Sequence, residues 1–358
     1  MKKIVLIITL IIVYASSCSL RKNNNNGHDF HSKNKTVSIE TLIQDSTLNV
    51  RALEIDDNGV GSFALSNGKI GGVSKNNNGN YSAGLSFQIK HDTVLPNFRA
   101  LALTESSGFV ISIGAPTLLY KVSDSLKLVY QENHKKAFYD SMDFWNDKEG
   151  IAIGDPTEDC MSIIITRDGG DTWEKLSCND LPKAKEGEAA FAASDTNIAI
   201  IGDHTWVATG GRASRILYSP DKGKTWDVYN TPIFQGKETT GIYSIDFYDE
   251  NNGFAIGGDY TKPNDTLNNK IRTNDGGKTW QVVANGKGPG YRSCVQYIPN
   301  SDGKELVVIG FKGIDYSNNA GESWQHLSDE GFYTIRFVND TVAYAAGKGR
   351  ISKLTFRE

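Results

Sequence analysis

Beyond its first segment the chain carries its apolar residues in short runs separated by Gly-, Asn- and Asp-rich turns, with no long run at helical spacing. One unit recurs: an apolar strand, a polar turn, then a second strand that ends in glycine. Examples are Ser141-Met-Asp-Phe-Trp145 followed by Gly150-Ile-Ala-Ile-Gly154, and Ser244-Ile-Asp-Phe-Tyr248 followed by Gly253-Phe-Ala-Ile-Gly257. The terminal glycine marks seven units, at Gly68, Gly114, Gly154, Gly202, Gly257, Gly310 and Gly347. A second pattern, S/T-x-D-x-G-x-T-W, follows four of them. It reads Thr166-Arg-Asp168-Gly-Gly170-Asp-Thr172-Trp173, Ser219-Pro-Asp221-Lys-Gly223-Lys-Thr225-Trp226, Thr273-Asn-Asp275-Gly-Gly277-Lys-Thr279-Trp280 and, with Asn319 in the acidic place, Ser317 to Trp324. The four tryptophans are 53, 54 and 44 residues apart. Such a period defines a repeat architecture in which each unit buries its apolar face on its neighbours.

Each S/T-x-D-x-G-x-T-W segment lies between β-rich runs and is predicted to be a hairpin loop. The Asp accepts backbone N–H groups as an Asx turn does, the Gly supplies φ > 0, and Ser or Thr closes the ends. The Trp is expected to pack between adjacent sheets. A Ca²⁺ site needs six to eight oxygens, far more than one carboxylate supplies, so no metal is expected there. Units one and two lack the segment but share Asn49-Val-Arg51-Ala-Leu53 and Asn97-Phe-Arg99-Ala-Leu101, offset by 48 residues. The last unit supplies only three strands, and the spare strand Thr36-Val-Ser-Ile-Glu-Thr-Leu42 is placed to complete it. The fold expected is all-β, a seven-bladed β-propeller of four-stranded antiparallel blades closed by an N-terminal strand. Six blades, with the first unit outside the ring, is the alternative.

The N-terminus adds an address. Lys2-Lys3, the apolar run Ile4 to Tyr14 and Ala15-Ser-Ser-Cys18 make a secretory signal of lipoprotein type, with an ordinary signal peptide as the alternative. Residues 1–17 are then the signal, Cys18 the lipidated first residue, 18–35 a polar Asn-rich tether, and 36–358 the propeller. This predicts a bacterial envelope protein held to a membrane by lipid. Removing residues 1–17 takes away two lysines and moves the formal charge from −4 to −6. No basic run interleaves with aromatics, so nucleic acid is not an expected partner. Export permits disulfides. A hairpin register pairing Thr166 with Thr172 also pairs Cys160 with Cys178, so these two are expected to form a cross-strand disulfide. Cys294, in an apolar run, is expected to be a buried thiol. No GxGxxG follows a strand and no CxxC or haem-attachment motif occurs, so no cofactor is expected.

The S/T-x-D-x-G-x-T-W segment is the Asp-box of BNR repeats. With Asn97 to Leu101, Ala137 to Trp145, Glu188 to Ser194, Gly257 to Tyr260, Gly290 to Ser293 and Gly331-Phe332, residues 90 to 355 resemble BNR-repeat propellers related to the photosystem II assembly and stability factor. They look in particular like a bacterial branch that carries the label oxidoreductase. The resemblance implies a propeller and an assembly or binding role, and no established reaction; the redox label has no cofactor motif behind it in this chain.

In a propeller the starts of the innermost strands and the loops after the second strands share one rim, opposite the Asp-boxes. On that rim the sequence places Arg51, Arg99, Arg292 and Arg350 from units one, two, six and seven, which are contiguous around a closed ring. It places Asp140, Asp155, Glu188, Asp203 and Asp259 from units three to five. The expectation is a bipolar mouth, a basic arc facing an acidic one, with Phe98, Tyr139, Tyr260, Tyr291 and Phe332 between. The bland alternative is turn chemistry and ion pairs holding blades together. The expected partner is a peptide, a protein loop or a small polar ligand. The alternative function is a sialidase-like glycoside hydrolase. There Arg51, Arg99 and Arg292 would hold a carboxylate, and Glu188 with Tyr243 or Tyr291 would form the nucleophile pair. Against it, Phe98-Arg99 runs on to Ala-Leu rather than Ile-Pro.

Overall fold

The apolar runs form strands that pair antiparallel with their sequence neighbours. The computed structural model describes residues 35–358 apart from Asn77, and within them every regular element is a strand. The signal segment, Cys18 and residues 19–34 lie outside the described residues.

The strands sort into seven four-stranded units. Blade one has residues 49–55 innermost, then Gly61–Leu65, Lys69–Lys75 and Tyr81–Gln88. Blades two, three and four start from Asn97–Leu103, Tyr139–Phe144 and Ile198–Ile201, and blades five, six and seven from Thr240–Phe247, Cys294–Tyr297 and Thr334–Phe337. These innermost strands neighbour one another in that order, and the seventh returns to the first. The closure is the one expected from sequence. The single long strand Thr36–Ile55 pairs over 36–44 with Lys348–Arg357, with Val37 opposite Phe356 and Ile43 opposite Ile351. Past a break in register it pairs with Gly61–Leu65 as the innermost strand of blade one. One strand thus belongs to two blades and fastens the ring.

The core lies between blades. Phe109 of blade two packs on Phe144 and Trp173 of blade three, and Trp206 of blade four stacks on Phe247 of blade five at 3.7 Å between ring centres. The Asp-boxes explain their own residue types. In blade five Asp275 accepts from Thr273 Oγ1 (2.8 Å), Thr279 N (2.9 Å) and Thr279 Oγ1 (2.6 Å), while Thr273 Oγ1 accepts from Gly277 N at 3.0 Å. Burial raises the carboxyl's proton affinity, but these hydrogen bonds outweigh it and hold the Asp275 pKa below the usual carboxylate value. Asn319 meets the equivalent groups in blade six: Oδ1 accepts from Ser317 Oγ and Ser323 N, and Nδ2 donates to Ser323 Oγ. The box glycine is required twice over. Gly321 has φ +85°, and a Cβ there would stand 2.3 Å from the Phe254 ring of the preceding blade.

Two local expectations are corrected. Gly202 does not end a second strand: it sits in the turn between Ile198–Ile201 and His204–Ala208, the first two strands of blade four. The approach to that blade is held aside instead, because Glu188–Ala189 pairs with Gly210–Gly211 and the inner strand begins only at Ile198. Cys160 and Cys178 are bonded, their Cα atoms 5.4 Å apart, but not through the expected register. The ladder pairs Ile164 with Lys175 and ends there, and Cys160 bridges to Lys183. The disulfide therefore ties chain just beyond the strands. Cys294 is fully buried as a thiol.

Candidate functional site

At the rim where the innermost strands begin, the channel widens into a cavity of about 500 Å³ to which all seven blades contribute. Blades one and two supply Arg51 and Arg99, and blade three supplies Phe138 and Asp155. The far wall is Phe191, Tyr243, Tyr260, Tyr291 and Phe311, with Tyr333 from blade seven beside Arg51. The wall is a built stack. Phe191 and Tyr243 lie parallel with centres 3.9 Å apart, and Tyr291 meets Tyr243 edge-on at 4.8 Å and Phe311 at 5.5 Å. Tyr260 and Phe311 remain exposed to the cavity side, at 47% and 42%.

The two arginines are positioned by neutral groups. Arg51 donates from Nη1 to Ala193 O at 2.9 Å and lies 3.9 Å over the Tyr333 ring, and its buried Nε has no partner. Arg99 donates from Nε to Asn97 Oδ1 at 3.0 Å. Burial lowers both pKa values, that of Arg99 to about 10 with help from the Arg51 charge, so both stay cationic at neutral pH. Neither is among the ion pairs formed by the described residues.

The acids beside them are weaker opponents than their number suggests. Asp140 is fully buried and neither carboxylate oxygen completes a hydrogen bond. Burial and the neighbouring Asp155 push its pKa well up, against the Ala192 N–H and Arg99. Burial also raises Asp155 to about 6, although Ala190 N donates to it at 2.8 Å. The mouth sets the guanidinium groups of Arg51 and Arg99 against the carboxyl groups of Asp155 and the exposed Glu238.

The expected pair of facing arcs is not what forms. Arg51, Arg99, Asp155 and Tyr260 line the cavity, with Asp140 acting on it from beneath. Glu188 is spent on Arg215 (2.5 and 3.0 Å) and Thr209 (2.7 Å). Arg292 is bound to Asp315 at 2.6 Å. Arg350 pairs with Glu330 and lies over Phe332, itself buried in the core. Asp259 closes its own turn through Thr261 N and Oγ1. Asp203, in the displaced turn of blade four, reaches Lys222 of an Asp-box at 3.4 Å and so belongs to the opposite face. Tyr139 turns into its blade and donates to Glu132 at 2.8 Å, and Phe98 is core. The hydrolase constellation is not assembled either: Arg292 and Glu188 have other partners, and Tyr243 donates to Thr239 O. Phe138, Phe191, Phe311, Tyr333 and Glu238 were not anticipated.

The fold and the mouth define a β-propeller with a cationic and aromatic channel entrance. Among solved structures it is similar to YCF48 bound to D1 peptide, at 13% identity and TM-score 0.63, over 89% of this chain and 96% of that one. It is similar to YCF48 from Cyanidioschyzon merolae at 12% identity and TM-score 0.60, over 90% and 98%. The WD40 repeats of RRP9 match at 10% identity and TM-score 0.61, also over 90% and 98%. At these identities the likeness is one of fold. No family model matches the chain, and no curated protein matches it in sequence.

Proposed function

We propose that the protein is a binding or assembly-factor-like propeller that holds a peptide or protein segment at this mouth. The observation that carries it is the pair Arg51 and Arg99, cationic and without an acidic ion-pair partner among the described residues, in a cavity of about 500 Å³ whose other wall is aromatic. Such a site takes a carboxylate on one side and an apolar or aromatic side chain on the other. A YCF48 structure of the same fold holds a D1 peptide, which supports a peptide as occupant. The lipoprotein-type signal ending at Cys18 supports an envelope location, with the propeller tethered to a membrane.

The test is fluorescence anisotropy with a library of labelled peptides, each as the free acid and as the C-terminal amide. Free-acid peptides with an aromatic or aliphatic residue near the terminus are expected to bind and to weaken with salt. Arg99→Ala should weaken them by roughly tenfold or more, the loss of a charged hydrogen bond of about 1.5–3 kcal/mol. Equal binding of acids and amides, or an unaffected Arg99→Ala variant, refutes the assignment.

A further inference from the structure

The opposite end of the channel holds a site of different chemistry. Glu54, Asp143, Asp195 and Asp246 line a narrow cavity of about 180 Å³ together with Ser141 and Arg336. It shares Glu54, Asp246 and Arg336 with an outer vestibule of about 400 Å³ at the ends of the innermost strands, on the Asp-box side. The vestibule is walled by apolar and aromatic groups, among them Ile55, Tyr297, Pro299 and Phe337.

Four carboxyl groups face one guanidinium, and that guanidinium is already saturated. Arg336 donates from Nε and Nη2 to Glu54 Oε1 (2.8 and 2.5 Å) and from Nη1 to Thr334 Oγ1 (2.9 Å) and Ile335 O (3.0 Å). Its remaining Nη2 hydrogen goes to Asp195 O (3.0 Å). Asp195 and Asp246 spend both oxygens on backbone N–H groups, those of Leu101 and Met142 and those of Phe247 and Tyr297. These bonds leave three acceptors in the cavity unused. Asp143 accepts Phe144 N only at Oδ1, Glu54 accepts Arg336 only at Oε1, and the Ser141 Oγ, on a side chain 1% exposed, has no partner at all. Burial holds Asp143 and Asp246 at about 7, so their charges are poorly compensated by the protein itself. Among the described residues no three acids are placed to grip a metal ion.

We propose that this end of the channel binds a primary ammonium carried on a methylene chain, from a free polyamine or from a lysine side chain. An ammonium offers three donors and one positive charge, matching three open acceptors and the acidic excess. The narrow cavity admits the head group and the vestibule walls cover the methylenes.

Isothermal titration calorimetry of the full chain tests this, above neutral pH, with spermidine and with a peptide bearing a single lysine or norleucine in its place. Saturable binding of spermidine, or of the lysine but not the norleucine peptide, is expected. Whichever of the two binds identifies the source of the amine. Asp143→Asn keeps the bond from Phe144 N and should weaken binding roughly 30-fold or more. Ser141→Val, which fills the cavity, should abolish binding and serves if the first variant folds poorly. Arg99→Ala, at the other mouth, should leave amine binding unchanged, so the two sites fail or stand separately. Absence of binding by either amine, or equal binding by wild type and the folded variants, overturns the proposal.

Discussion

Replacing Asp275 tests the assignment of the Asp-boxes as structural devices. In Asp275→Ala the turn loses three hydrogen bonds, from Thr273 Oγ1, Thr279 N and Thr279 Oγ1. Bonds to a charged acceptor contribute about 1.5–3 kcal/mol each when buried. Thr279 is exposed, however, so water replaces most of what its groups lose, and Thr273 Oγ1 still accepts from Gly277 N. A net loss of about 2 kcal/mol is expected, which for a chain of this length is a fall of ~3 °C in melting temperature. Asp275→Asn should be close to neutral, because Asn319 makes the equivalent contacts in blade six. The depressed pKa gives the sign with pH: the stability Asp275 contributes is present above the ordinary carboxylate range and is lost as pH falls through its lowered folded value. Calorimetric melting of both variants, with peptide affinity measured on the folded protein, is the assay. The reasoning is refuted if Asn destabilises as much as Ala, or if Asp275→Ala changes peptide affinity without lowering the melting temperature.

Three further outcomes follow from the same geometry, and a fourth from the N-terminal sequence. Asp155 has a pKa raised to about 6 by burial, so the folded state holds the proton more tightly than the unfolded chain, and stability should decline as pH rises through that value. Asp155→Asn should make the slope shallower, leaving the part that the other raised carboxyl groups contribute, and raise the melting temperature at neutral pH, a result checked by melting across pH. Arg215→Ala strands the carboxylate of Glu188 in a buried site and should cost about 3–5 kcal/mol in denaturant unfolding, unlike alanine at the exposed Arg212. Cys160→Ser with Cys178→Ser should cost up to about 3 kcal/mol for a closed loop of this length, read from the same unfolding curves under oxidising conditions. Mass spectrometry of the mature N-terminus decides whether Cys18 is its lipidated first residue; an unmodified start beyond it rejects the anchor.

The sequence by itself determined the parts of this protein that repeat. Period-two apolar strands and box turns are local chemistry: Asp275 finds its partners within four residues, and the glycines stand where φ must be positive. The spare strand from Thr36 predicted ring closure because an unpaired edge in the last blade demands a partner. What the channel mouth does with its charges was decided only in three dimensions. Arg292 and Arg51 occupy comparable places in the repeat, yet Asp315 pairs with the first and no acid among the described residues pairs with the second. Glu188 was taken by Arg215 because the approach to blade four pairs with Gly210–Gly211 instead of entering the inner strand, a detour that also carried Asp203 to the far face. The difference is physical. A strand or turn is specified by neighbours in sequence, whereas a side chain's charge at a rim is specified by which partner lies nearest in space, and that partner comes from another strand or another blade.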